Sequence, residues 1–135
     1  IAKISDMTSR QRAGKQFITL EDKDALIRPV PVFEGAIHLA LLSTRLRLLV
    51  IPLDEVKTLG SGGRGTILMG IDAPDKLSQC VPLSKAGMRV VGLYRNKQVE
   101  DILSGAQLSE YLSKRARKGK LLDIRSKNPV LSPVL

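Results

Sequence analysis

Ser9-Arg10-Gln11-Arg12-Ala13-Gly14-Lys15-Gln16-Phe17-Ile18-Thr19-Leu20 sets a basic, glycine-bearing turn directly ahead of an apolar run, and the chain does this twice more. The second copy is Thr58-Leu59-Gly60-Ser61-Gly62-Gly63-Arg64-Gly65-Thr66-Ile67-Leu68-Met69, and the third is Ser113-Lys114-Arg115-Ala116-Arg117-Lys118-Gly119-Lys120-Leu121-Leu122-Asp123-Ile124. With Gly14, Gly63 and Gly119 aligned, Met7, Val56 and Leu112 each stand seven positions upstream, and the copies are 49 and 56 residues apart. A period of about fifty residues marks a repeat or propeller-like array, in which each unit buries its apolar face against the next.

Around these loops the pattern is that of strands. Residues 17–20 and 66–71 are β-favouring runs following the first two loops. Residues 21–36 hold Pro29 and Pro31, which keep a connector extended. The apolar runs 37–42 and 47–53, separated by Ser43-Thr44-Arg45-Leu46, predict a hairpin, and 80–83 with 88–94 predict another around Ser84-Lys85-Ala86-Gly87. Segment 98–112 fits a helical spacing broken by Gly105, so one short helix is allowed there. Residues 128–135 read as a frayed polar tail. The expected architecture is all-β, with repeat units at about 1–53, 54–109 and 110–127.

The 135 residues suit one domain, and 43% hydrophobic content is enough for a real core. A net charge of +9 and a pI near 10.1 point to a polyanionic partner, nucleic acid first and an anionic membrane or the ribosome second. All thirteen acidic residues lie outside 9–20, 56–71 and 111–122, and eight of them flank the loops closely: Asp6, Asp54, Glu55 and Glu110 upstream, Glu21, Asp22, Asp72 and Asp123 downstream. A merely solvated surface mixes its signs; here the segregation recurs with the repeat. The single cysteine, Cys80, forbids an internal disulfide and is compatible with a reducing cytoplasm. No uncharged apolar run approaches the length of a membrane-spanning helix.

Catalytic motifs are sparse. Gly60-Ser61-Gly62-Gly63-Arg64-Gly65 matches G-x-G-x-x-G, but a dinucleotide site needs it at a strand-to-helix turn, and here a β-favouring run follows. His38, the only histidine, sits inside an apolar run and reads as a packed strand residue. Tyr94 and Tyr111, in a chain with 3% aromatic content, suit packing better than a base-stacking platform. What remains is the set of loops. In an array of equivalent units their charges form a stripe along one rim, where glycine lets backbone approach a phosphate and Lys or Arg neutralises it.

The run 9–15, the run Leu48-Leu49-Val50-Ile51-Pro52-Leu53-Asp54 and the run 59–67 resemble a known family, the C-terminal domain of the A subunit of bacterial type IIA DNA topoisomerases, nearest its topoisomerase IV branch. The resemblance implies a partial β-pinwheel of about two to three four-stranded blades, whose basic outer rim binds and bends duplex DNA. The first loop, with Arg-Gln-Arg and one glycine, looks like a degenerate form of the Arg- and Gly-rich box of gyrase. That departure favours capturing and orienting DNA for decatenation and supercoil relaxation over tight wrapping. Arg10, Arg12, Lys15, Arg64, Lys114, Arg115, Arg117, Lys118 and Lys120 are the expected phosphate-binding residues. The family's catalytic tyrosine lies in another region and is preceded by arginine, a setting that neither Tyr94 nor Tyr111 has. The resemblance thus implies no strand cleavage and no cofactor in this segment, an ATP-hydrolysing type II topoisomerase as the intact parent, the topoisomerase B subunit as its partner, no membrane, and a cytoplasmic, nucleoid-associated place. The alternative is a basic β-domain that docks an acidic protein or a partner subunit.

Overall fold

The computed structural model describes residues 1–60 and 63–135. Strands β1 (His38–Ser43) and β2 (Arg47–Pro52) form the first expected hairpin, in the register Ala40 opposite Val50. Ala40, Leu42, Leu48 and Val50 face one side, while Leu39, Leu41, Leu49 and Ile51 face the other, and both sides are buried. A strand covered on both faces needs no polar alternation, which is why these runs are continuously apolar. Ser43 stays in β1, so the loop has three residues instead of four; Leu46 closes it at a φ of 63°, a position that usually takes glycine.

Asp75 fixes this turn. Thr44 Oγ1 donates to its Oδ1 at 2.6 Å, and the Arg45 and Lys76 N–H groups donate to the same oxygen at 3.0 and 2.9 Å. Desolvation works to raise the carboxyl pKa, but the hydrogen bonds from Thr44, Ser43 and the two backbone N–H groups together outweigh it and bring it to about 2.

The second hairpin is not where the sequence pattern suggests. Strand β3 (Leu77–Leu83) pairs with β1, whereas β4 (Met88–Tyr94) belongs to a different sheet and pairs with β5 (Lys97–Leu103). The link 84–87 therefore crosses between sheets, a route that apolar runs alone cannot distinguish from a hairpin. The real turn is Arg95-Asn96, with φ of 50° and 63°, the signs a two-residue type I′ turn requires. Segment 98–112 divides into β5 and the short helix α1 (Gly105–Leu108), where the Gln107 side chain accepts the Ser104 N–H at 2.9 Å.

Strand β6 (Lys120–Leu121) has only two residues, and β7 (Lys127–Pro133) occupies the stretch expected to be a frayed tail. Pro129 and Pro133 suggested a chain end, but β7 pairs with β4 on one side only, and an edge strand tolerates proline. Leu131 on β7 is buried. The strands expected after the first two loops are also reduced: residues 17–20 contribute one bridge at Ile18, and 66–71 form no ladder. Met69, Leu68 and Ile71 instead plug the outer face of the β1–β2 hairpin, so their apolarity serves packing rather than pairing.

Among the described residues the result is two antiparallel sheets, ordered β3-β1-β2-β6 and β5-β4-β7. The core between them joins Leu42, Leu48, Val50 and Leu83 to Met88, Val90 and Leu131, with Leu108, Tyr111 and Leu122 closing one side. Gln79 ties the sheets where β3 meets β7, donating to Pro129 O and accepting from Leu131 N–H, both at 2.8 Å. His38 opens β1 half-buried, and Tyr111 is a core residue whose hydroxyl accepts the Asp123 N–H at 3.1 Å. Cys80 lies on β3, where burial pushes its thiol pKa up to about 11. No helix among the described residues is long and apolar enough to cross a membrane.

Candidate nucleic-acid interface

The third basic loop starts and ends on the edge of β2. Ser113 N–H donates to Val50 O at 2.9 Å, and the chain returns through Gly119 into β6, which pairs with Arg47 and Leu48. Gly119 has a φ of 74°, and a Cβ there would stand 2.6 Å from Leu48 O, so only glycine permits this close return.

The tip of this loop is zipped to the segment that follows the second loop. Ala116 N–H donates to Leu68 O and Gly70 N–H to Arg117 O, each at 2.8 Å. The Arg115 guanidinium donates to Ile67 O at 2.8 Å, and the Arg115 N–H donates to Glu55 Oε2 at 2.7 Å. Lys118 Nζ lies 2.6 Å from Asp72 Oδ2. The second loop in turn meets the first: Ile18 bridges Gly63, Thr19 N–H donates to Gly63 O at 3.1 Å, and Arg64 pairs with Glu21 at 3.7 Å. The three loops are consecutive neighbours in space, tied one to the next by backbone hydrogen bonds and by the flanking acids read from the sequence.

This arrangement sorts the nine expected phosphate-binding residues. Arg10, Arg12, Lys114, Arg117 and Lys120 are exposed, and their side chains have no partner among the described residues. Lys15 donates to Asp6 O at 3.2 Å and lies 5.9 Å over the Phe17 ring. Arg64 and Lys118 hold exposed carboxylates, pairs worth about 0–1 kcal/mol that an incoming phosphate can replace. Arg115, half-buried, acts as a staple while keeping its charge, because its partner Ile67 O is neutral.

The aligned glycines also share a backbone property: Gly14, Gly63 and Gly119 have φ of 78°, 142° and 74°. Around Gly14 no atom would meet an added Cβ within 4 Å, so the backbone there is open to an outside group. Of the G-x-G-x-x-G run, Ser61 and Gly62 lie outside the described residues, and no helix follows Gly65. Among the described residues no three His, Cys, Asp or Glu side chains gather as a metal site would need. Sequence reasoning missed Glu55, Asp72 and Glu21 as ties between loops and Arg47 as a brace, its Nη1 donating to Gly119 O at 3.2 Å. The signal was present in the acids that recur beside every loop.

An all-β domain of the β-pinwheel kind, with cations gathered along one edge of its first sheet, is what the fold and the loops define. The particular likeness is to the C-terminal domain of the topoisomerase IV A subunit. The chain is 26% identical over 129 residues to the A subunit of DNA topoisomerase 4 from Neisseria gonorrhoeae, covering 92% of this chain and 16% of that protein. It is 24% identical over 126 residues to the corresponding protein of Haemophilus influenzae, covering 90% of this chain and 17% of that protein. The E. coli ParC C-terminal domain superposes with a TM-score of 0.73 at 22% identity, covering 96% of this chain and 54% of that one. A crystal structure of the C-terminal domain of DNA topoisomerase IV superposes with a TM-score of 0.72 at 19% identity, covering 96% and 42%. The chain thus spans a small part of the curated relatives and about half of the solved domains. No protein-family profile matches it.

Proposed function

We propose that this chain is a non-catalytic module that binds and bends duplex DNA within a topoisomerase IV A subunit, capturing and orienting DNA for decatenation and supercoil relaxation. The observation that carries the reading is the joining of three basic loops into one run by backbone hydrogen bonds and carboxylate ties. Arg10, Arg12, Lys114, Arg117 and Lys120 neutralise phosphates directly, while Lys15, Arg64 and Lys118 exchange weak internal partners for them. Releasing counterions drives the binding, and it carries no base information. Bending a site of 20–30 base pairs costs about 1–6 kcal/mol, offset by the further phosphates that the bend brings against the run. In the intact enzyme the module works beside the B subunit in the cytoplasm, and strand cleavage and ATP hydrolysis belong to other parts.

The test is affinity for short and long duplexes across a salt series, for the native chain and for a variant with Arg117, Lys118 and Lys120 changed to Ala. The reading predicts tighter binding to the longer duplex and a steep log–log salt slope that falls by about 0.9 for each phosphate no longer neutralised. Weak binding, independent of duplex length and unchanged in the variant, would refute it and favour docking of an acidic protein.

A further inference from the structure

Among the described residues, both sheets bring strand ends together at one end of the molecule, where cations gather beyond those of the basic loops. In the first sheet, β1 ends at Ser43, β2 starts at Arg47, β3 starts at Leu77 and β6 holds Lys120 opposite Leu48, so all four meet at the Thr44–Leu46 turn. In the second, Lys127 at the start of β7 stands opposite Leu93, and β4 turns into β5 through Arg95-Asn96. Gln79 holds the starts of β3 and β7 side by side. Both hairpin turns therefore lie at the same end of the molecule.

That end is rich in cations. Around the second turn stand Arg95, Lys97 and Lys127, and beside it Arg125 lines a depression with Tyr94 in which Asp101 and Asp123 are the acids. Runs 94–98 and 125–128 contain no acid. Around the first turn stand Arg45 and Lys76; Asp75 is engaged by the turn's own donors, and Asp123 follows Leu122, whose N–H donates to Leu46 O. The opposite end, where Ile37, Leu53 and Leu83 meet, mixes its signs: Glu34 and Asp54 stand there with Lys85, Lys57 and the Ile1 amino group, and Arg89 is paired with Glu100. Lys120 and Arg47 form the corner, since β6 is both the return of the third basic loop and the neighbour of the first turn.

We infer that the hairpin-turn end is a second stretch of phosphate-binding surface, centred on Arg95, Lys97 and Lys127 and continuous with the basic loops through Lys120 and Arg47. Its ligand is the backbone of the same duplex, so the inference rests on the function proposed above and extends it. A duplex that engages the loops and passes the corner at Lys120 is then held along a second side of the domain. Turn chemistry fits the role: Arg95 and Asn96 are pinned by the type I′ geometry, so Arg95 is presented on a short, rigid connection and rests 5.3 Å over the Tyr94 ring.

The experiment uses the full chain with duplexes of about 10 and about 30 base pairs, roughly one and three helical turns. One variant changes Arg95, Lys97 and Lys127 to Ala, a second changes Arg10, Arg12 and Arg117 to Ala, and Lys85→Ala is the control. Thermal melting establishes that each variant is folded, and Asn96 is left in place to keep the turn. The turn variant is expected to lower the salt slope on the long duplex by about two to three and to weaken binding tenfold or more at low salt, with Lys85→Ala unchanged. If the native chain binds and the loop variant weakens it while the turn variant equals the native chain at both lengths, this inference is overturned and the function stands. If the native chain ignores duplex DNA altogether, the function itself fails and this inference fails with it.

Discussion

In the first sheet β1 and β2 bury both faces, whereas in the second sheet β5 leaves most of its residues exposed and the outward face shows Leu93, Ile102 and Val130 to solvent. The basic loops are attached to the first sheet: the third is sewn to β2 at Val50 and at Leu48, and the segment after the second is plugged into the hairpin's outer face by Met69. Irregular backbone rich in like charges has little reason to hold one shape, and here its shape comes from the best-packed part of the molecule. The binding loops thus derive their order from the sheet beneath them.

Cutting the same chemistry from each sheet separates the two most strongly. Leu49→Ala, at a fully buried position, is expected to cost about 2–5 kcal/mol in urea unfolding. Ile102→Ala, on the open face of β5, should stay within about 0.5 kcal/mol. Similar losses at both sites would mean that the second sheet's outer face is packed against something in solution. A smaller effect is expected from Gly119→Ala, which puts a side chain at positive φ against Leu48 O and should cost about 1–3 kcal/mol. That variant should also lose duplex affinity although no charge is removed; unchanged affinity would separate the loop's order from its function.

The smallest effect concerns pH. Because the Asp75 carboxyl is held at about 2 when folded, against an ordinary value of 3.8, its contribution is complete above pH 3.8 and is lost as pH falls through about 2. Asp75→Asn should therefore lower stability at neutral pH and flatten the decline of melting temperature between pH 4 and 2. An acid profile that the substitution leaves unaltered would assign that decline to other carboxylates.

The β1–β2 hairpin was legible because burial on both faces leaves continuous apolar runs with a polar break between them. The partner of β4 was not, because 84–87 and 95–96 are both polar breaks and only backbone φ distinguishes a sheet-to-sheet link from a turn. Residues 98–103 hid as a strand because a half-exposed edge carries few apolar residues, and those present also fit a helical spacing. The β7 strand hid behind its prolines, which an edge position permits. At the candidate site the cations and the repeat were plain in the sequence. The division of labour among them was not, since it depends on which acid of one loop reaches the next: Glu55 to Arg115, Asp72 to Lys118, Glu21 to Arg64.

If the joined loops are the surface that meets duplex DNA, a lysine-modification footprint will show it. The chain is modified with and without a saturating duplex and read residue by residue by mass spectrometry. Protection is predicted at Lys15, Lys114, Lys118 and Lys120, with Lys85 at the opposite end as reactive as before. Protection of Lys85 while the loop lysines stay reactive, or no change at any lysine despite bound DNA, would place the duplex elsewhere and refute the loops as its binding surface.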